Sequence, residues 1–118
     1  MALVFRRVII ARAHHDDVDR TARITGTGKA VYANGDVYEG DFVNGVRDGK
    51  GVATYANGGV YSGGFSQGER NGAGSFTGAD GFTYEGEWRD GQINGQGVAS
   101  YPNGTRLEGT FRDGEFVG

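Results

Sequence analysis

The chain is expected to be all-β, an elongated, curved single antiparallel β-meander of stacked hairpins with a 23-residue period. Three observations lead there. Residues 38–60, YEGDFVNGVRDGKGVATYANGGV, are followed without insertion by similar copies at 61–83 and 84–106 and a truncated one at 107–118. A constant period of this size is the mark of stacked repeats, each copy one supersecondary unit. Within each copy, aromatic residues and glycines alternate with polar residues at a spacing of two, as in a half-buried strand. Glycine also makes up 24 of the 118 residues, a density that disfavours helix by about 1 kcal/mol per glycine relative to alanine.

The columns of the repeat assign the strands. Each copy opens at Tyr38, Tyr61 or Tyr84, with Leu107 in the last. Glycine follows two residues on, at Gly40, Gly63, Gly86 and Gly109, and then Phe42, Phe65, Trp88 or Phe111. Tyr38, Gly40 and Phe42 share one face of a strand, and Glu39 and Asp41 share the other. A second strand is expected over residues 51–55 and 97–101. The array divides into a half repeat at 26–37, full repeats at 38–60, 61–83 and 84–106, and the truncated copy at 107–118. Eight strands spaced by about 4.8 Å give a slab of roughly 35–40 Å.

Turn chemistry separates the strands. All six asparagines, Asn34, Asn44, Asn57, Asn71, Asn94 and Asn103, precede glycine, and such pairs tolerate the positive φ of tight hairpin turns. The pairs at Asn34, Asn57, Asp80 and Asn103 share one repeat phase and are expected to form the tight turns. Residues 44–49 and their equivalents are expected to form a longer turn on the opposite rim. The glycine between each tyrosine and the next aromatic leaves room for rings to lie across the strand and for the sheet to bend. An aromatic stripe follows, formed by Tyr38, Phe42, Tyr55, Tyr61, Phe65, Phe76, Tyr84, Trp88, Tyr101 and Phe111. Phe76 is included because Gly78 stands where Tyr55 and Tyr101 stand, and a ring two residues earlier on the same face fills the gap.

With Tyr-x-Gly-x-Phe/Trp followed by spaced glycines and a Gly-x-Gly pair, such as Gly49 with Gly51 and Gly95 with Gly97, the pattern resembles the MORN (membrane occupation and recognition nexus) repeat from about residue 26 onward. The resemblance implies assembly and tethering modules, with a membrane role suggested by the family's name. In related families such repeats also accompany kinase and methyltransferase domains, which this chain does not contain.

Residues 1–25 are expected to be a separate amino-terminal segment, an edge-covering strand or short helix plus a linker. An edge cover there shields the sheet from open-ended strand pairing. Arg6 and Arg7 interrupt its apolar run, which leaves less than the roughly 7–15 apolar residues of a secretory signal and far less than the about 20 of a membrane span. The segment carries +2 and the remainder −5. An acidic repeat region argues against nucleic acid, whose affinity rests on neutralised phosphates, and makes acidic phospholipid the less favoured ligand.

Catalytic and cofactor motifs are sought and not found. His14, His15, Asp16 and Asp17 carry metal-ligand chemistry, but four adjacent residues do not converge on one centre and read as a solvated linker, so no metal site is assigned. Gly26-Thr27-Gly28-Lys29 lacks the upstream glycine and the following Ser or Thr of a P-loop, and Gly49-Lys50-Gly51 has Thr54 where a dinucleotide fingerprint needs glycine. There is no cysteine, and the two histidines lie outside the array, which removes the usual nucleophile and base arrangements. The expectation is a chain that is not an enzyme and needs no cofactor. It is a protein–protein interaction or assembly scaffold whose aromatic groove receives a helix or an extended segment of an unidentified protein or peptide, or a second copy in a homodimer. The alternatives are a peripheral phospholipid-binding module or an accessory repeat region of a larger enzyme. The expected location is cytoplasmic, with a membrane-peripheral one as the alternative.

Overall fold

The computed structural model describes residues 24–118. They form nine strands: β1 (Gly26–Val31), β2 (Val37–Val43), β3 (Val46–Thr54), β4 (Val60–Ser66), β5 (Glu69–Thr77), β6 (Thr83–Arg89), β7 (Gln92–Ser100), β8 (Arg106–Arg112) and β9 (Glu115–Phe116). All nine lie in one sheet in chain order, each antiparallel to its neighbours. The meander is as expected, with one strand more than the eight counted from the repeat, because β9 folds back on β8. The described residues extend 43 Å along the sheet. Expectations for residues 1–23 lie outside the described residues.

The two rims are the reverse of the sequence expectation. The tight turns are Asn44-Gly45, Gln67-Gly68, Asp90-Gly91 and Asp113-Gly114, two residues each between consecutive strands. In each, both residues have positive φ, 50° and 82° at Asn44 and Gly45 for example, the conformation of the turn that suits the twist of a hairpin. Residues 46–49 are therefore part of β3 rather than of a long turn, and the second strand of each unit starts earlier and is longer than expected. It ends at Thr54 and Ser100, one residue short of Tyr55 and Tyr101.

The loops through Asn34, Asn57, Asp80 and Asn103 are five residues long, as in 55–59 between β3 and β4. There only the glycine is left-handed among the loop residues, and the preceding side chain folds back to accept an amide. Asn57 Oδ1 accepts from Gly59 N at 2.9 Å, and Asp80 Oδ1 from Phe82 N at 3.0 Å. An Asn-Gly pair serves either geometry, so the pairs alone did not decide which rim was tight.

Between the rims the register carries the main packing device. Gly28, Gly40, Gly51, Gly63, Gly74, Gly86, Gly97 and Gly109 stand opposite one another from strand to strand, a row of bare backbone across the sheet. The tyrosine rings fill it. A Cβ on Gly51 would overlap the ring of Tyr38, and the same holds for Gly74 with Tyr61 and Gly97 with Tyr84. The phenol oxygens then reach the bulges that interrupt the register after Gly40, Gly63 and Gly86. Tyr38 Oη donates to the carbonyl of Asp41 at 2.8 Å, Tyr61 Oη to Gly64 at 2.8 Å and Tyr84 Oη to Glu87 at 3.1 Å. Each bulge thus has a carbonyl satisfied by the side chain that crosses it.

The core lies on one face of the sheet. Tyr38 and Tyr61 are 0% exposed and Tyr84 1%, with Phe42, Phe65, Trp88, Phe111, Ala30, Ala53 and Ala99 also buried. A flat sheet facing solvent does not bury rings so completely. Two packed sheets lie about 10 Å apart, yet this single sheet measures 25 × 23 Å across its shorter axes. The sheet is therefore twisted and curled toward its rings, and bulges of this kind increase the local twist.

Candidate functional site

The ring-bearing face is the chemically distinct surface of the molecule, and it has two rows. The inner row is a zigzag of edge-to-face contacts. Phe42 meets Tyr38 at 5.1 Å between centroids, Tyr38 meets Phe65 at 5.0 Å, and Phe65 meets Tyr61 at 5.2 Å. The chain continues through Trp88 at 5.1 Å, Tyr84 at 5.4 Å and Phe111 at 5.2 Å. Interplanar angles of 82–88° place positive ring edges on negative faces, each pair contributing about 0.5–1.5 kcal/mol beyond its burial. Trp88 Nε1 donates to the carbonyl of Gly74 at 3.2 Å, so its polar atom is satisfied as well.

Of the ten stripe residues expected from the sequence, seven form this inner row: Tyr38, Phe42, Tyr61, Phe65, Tyr84, Trp88 and Phe111, all buried. Tyr55 and Phe76 are half-buried and Tyr101 is 38% exposed. These three belong to an outer row along the five-residue loops, together with Tyr32 and Phe82. Phe76 stands 6.5 Å from Tyr55 and 6.2 Å from Phe82, and Phe82 stands 5.0 Å from Tyr101. The gap left by Gly78 is filled by Phe76 as anticipated and by Phe82, which the sequence reading missed. Phe82 sits in the column of Asp36, Gly59 and Thr105, where no ring is expected. Gly59 leaves space for Phe76, whose ring tip lies about 3.0 Å from where a Cβ at Gly59 would be.

Two arginines join the rows, and both were missed because residues 46–49 were read as a turn. Arg47 and Arg70 occupy one repeat column on β3 and β5, opposite Phe42 and Phe65 and so on the ring face. The Arg47 guanidinium lies 5.8 Å from the centroids of Tyr32 and Tyr38 and 5.4 Å from Phe65. That of Arg70 lies 5.8 Å from Tyr55, 5.9 Å from Tyr61 and 4.7 Å from Trp88. Each also donates one hydrogen bond to the next tight turn, Arg47 to Gly68 O and Arg70 to Gly91 O at 2.8 Å. Among the described residues the one ion pair is Arg106–Glu108 at 3.2 Å, so no described carboxylate neutralises either guanidinium within 4.0 Å. The same column continues with Ile93.

Burial acts on the tyrosines. It raises the Tyr61 phenol to about 12, against the lowering influence of Arg70, and raises Tyr38, Tyr84 and Tyr32 above the ordinary phenol range. Neutral, hydrogen-bonded phenols at ordinary pH suit packing rather than proton transfer. Among the described residues no three His, Asp or Glu side chains converge as metal ligands, and no helix is long and apolar enough to cross a membrane. His14, His15, Asp16 and Asp17 lie outside the described residues. A shallow, open depression lined by Ala73, Gly74, Ser75, Glu85 and Gly86 holds no pair of groups suited to acid–base work.

The MORN repeat family model matches residues 38–60, 61–83 and 84–106, the three complete copies of the period and more than half of the chain. No curated protein matches the chain. MORN repeats are non-catalytic modules generally associated with protein and membrane interaction. The matched copies, the continuous meander and the tyrosine-over-glycine packing that repeats with them make this chain a member of the MORN repeat family.

Proposed function

We propose that the chain is a non-catalytic scaffold for protein–protein interaction or assembly, and that its partner docks on the ring-bearing face. The observation that carries this reading is the division of that face into two rows. The inner row is consumed by the fold. The outer row, with half-buried Tyr55, Phe76 and Phe82 and exposed Tyr101, offers aromatic rings on a rigid support, the composition favoured at interface centres. A helix or extended segment of another protein fits such a face, and a second copy of the chain is the alternative occupant. The cytoplasm is the proposed working place.

The experiment is a selection of binding segments from a displayed library of protein fragments, using the intact chain and the Tyr55→Ala/Phe76→Ala/Tyr101→Ala variant. Of these rings only Phe76 pairs with one of the inner row, 6.4 Å from Trp88, so circular dichroism of the variant checks that the sheet is kept. Substitutions at Phe65 or Trp88 disturb the core itself. Segments that bind the intact chain and are lost at least about tenfold by the variant support the reading. Segments that bind both equally contradict it. Sedimentation with vesicles of acidic phospholipid separates the membrane alternative, for which salt-sensitive binding is required.

A further inference from the structure

We propose that the occupant of the ring face is an acidic amphipathic helix, with two carboxylates seven residues apart meeting Arg47 and Arg70 and an apolar side chain one further heptad on meeting Ile93. This rests on the docking reading above and specifies its partner. The sign comes from charge placement. Glu39, Asp41, Glu85, Glu87 and Glu108 project from the opposite face of the sheet, in alternation with the buried rings. Arg47 and Arg70 are the charged residues on the ring side of their strands. A guanidinium has five N–H donors in a rigid fork, and each of these has one committed to a turn carbonyl. The rings hold the fork in place, so a carboxylate arriving there meets donors that are already oriented.

The spacing suits a helix. β3 and β5 are two strands apart in the sheet, and Arg47 is offset along its strand because Gly49, not Arg47, lines up with Phe65 and Arg70. Two strand spacings with that two-residue offset put the Cα atoms of the two arginines about 12 Å apart. On a helix, residues seven apart lie on nearly the same face and are separated by about 10.5 Å. An extended segment presents same-face side chains at about 6.7 Å, too short, or 13 Å. An extended peptide with Glu four residues apart is therefore the competing occupant, and tighter binding of that peptide overturns the helix. The column then passes from arginine to Ile93, so the charge is at the β3–β5 end of the face and the helix has one favoured direction.

The test measures binding of synthetic amphipathic peptides of about three heptads to the full chain by fluorescence anisotropy. One peptide carries Glu at the first two heptad positions and Leu at the third, one carries Gln in place of both Glu, and one reverses the order. The expected result is that the Glu peptide binds at least about tenfold tighter than the other two, as charge-assisted hydrogen bonds require. That preference disappears in Arg47→Met/Arg70→Met and is only partly recovered in Arg47→Lys/Arg70→Lys. Circular dichroism confirms that both variants keep the sheet.

Equal binding of the Glu and Gln peptides, or a preference that survives in the double Met variant, overturns the proposal. If that equal binding is abolished by Tyr55→Ala/Tyr101→Ala, the docking face itself stands. No binding by any peptide overturns it too, and the fragment selection then judges the docking face separately. Acidic vesicles that bind the chain and lose binding in the double Met variant would assign the arginines to lipid headgroups instead. A tenfold gain in Glu-peptide affinity for Asp16→Asn/Asp17→Asn/Asp19→Asn would make the chain's own aspartates the occupant, which also overturns a partner in trans.

Discussion

The ring of Tyr61 lies against Gly74 of the neighbouring strand so closely that no β-carbon fits between them. The obstruction is a phenol locked between Phe65 and Trp88 rather than the loose end of a flexible side chain. Gly74→Ala is therefore expected to lower stability by about 1–3 kcal/mol, the range for overpacking a tight core. In a Tyr61→Leu background, which copies the Leu107 arrangement, the same change is expected to cost less than about 1 kcal/mol. Urea unfolding of the four proteins measures the coupling directly.

Alkaline pH is expected to destabilise the chain. The Tyr61 phenol titrates near 12 in the folded state against about 10 in an unfolded chain. Above pH 10 the unfolded state therefore releases a proton that the folded state retains. Stability is fully present below about pH 10 and falls as pH rises toward 12. Tyr38 and Tyr84 act in the same direction. Unfolding midpoints followed with tyrosinate absorbance check this. Tyr61→Phe is expected to make the alkaline decline shallower while costing about 1 kcal/mol at neutral pH for its lost bond to Gly64.

Gln67 holds a left-handed conformation, φ 50°, at the first position of a tight turn where its equivalents are Asn44, Asp90 and Asp113. Asn tolerates this region better than Gln. Gln67→Asn is expected to raise stability by about 0.5 kcal/mol, leaving the backbone bond from Gln67 N to Asp48 Oδ2 in place. Gly68→Ala, with φ 88°, is expected to lower stability by about 1 kcal/mol or more. Thermal melts of both variants distinguish this turn from a long, permissive loop, in which neither change matters.

The two rows differ in what their removal does. Phe42→Ala empties a buried site and is expected to cost about 3–5 kcal/mol. Phe82→Ala removes a half-buried ring packed on Phe76 and Tyr101 and is expected to cost about 1–2 kcal/mol, part of a full burial term. Parallel urea titrations of these variants test the division.

The sheet and the inner row were legible because Tyr38, Gly40 and Phe42 recur at a fixed offset, and a two-residue alternation has one reading. The rims were not. Asn44-Gly45 and Asn57-Gly58 are the same dipeptide, and the choice between a tight turn and a side-chain-capped loop depends on whether Val46 and Arg47 pair with Val43 and Phe42 of β2, which the dipeptide does not encode. That single ambiguity hid Arg47 and Arg70, since a residue in a turn has no assigned face. Phe82 escaped for another reason: it compensates for Gly78 from a different column, and only its contacts with Phe76 and Tyr101 reveal the exchange.

The most direct test of the account is an NMR measurement of the α-protons of Gly51, Gly74 and Gly97. Rings seated over these glycines predict strongly upfield-shifted α-protons, each with a nuclear Overhauser contact to the ring of Tyr38, Tyr61 or Tyr84 respectively. Glycine α-protons at ordinary shifts with no such ring contacts would contradict it.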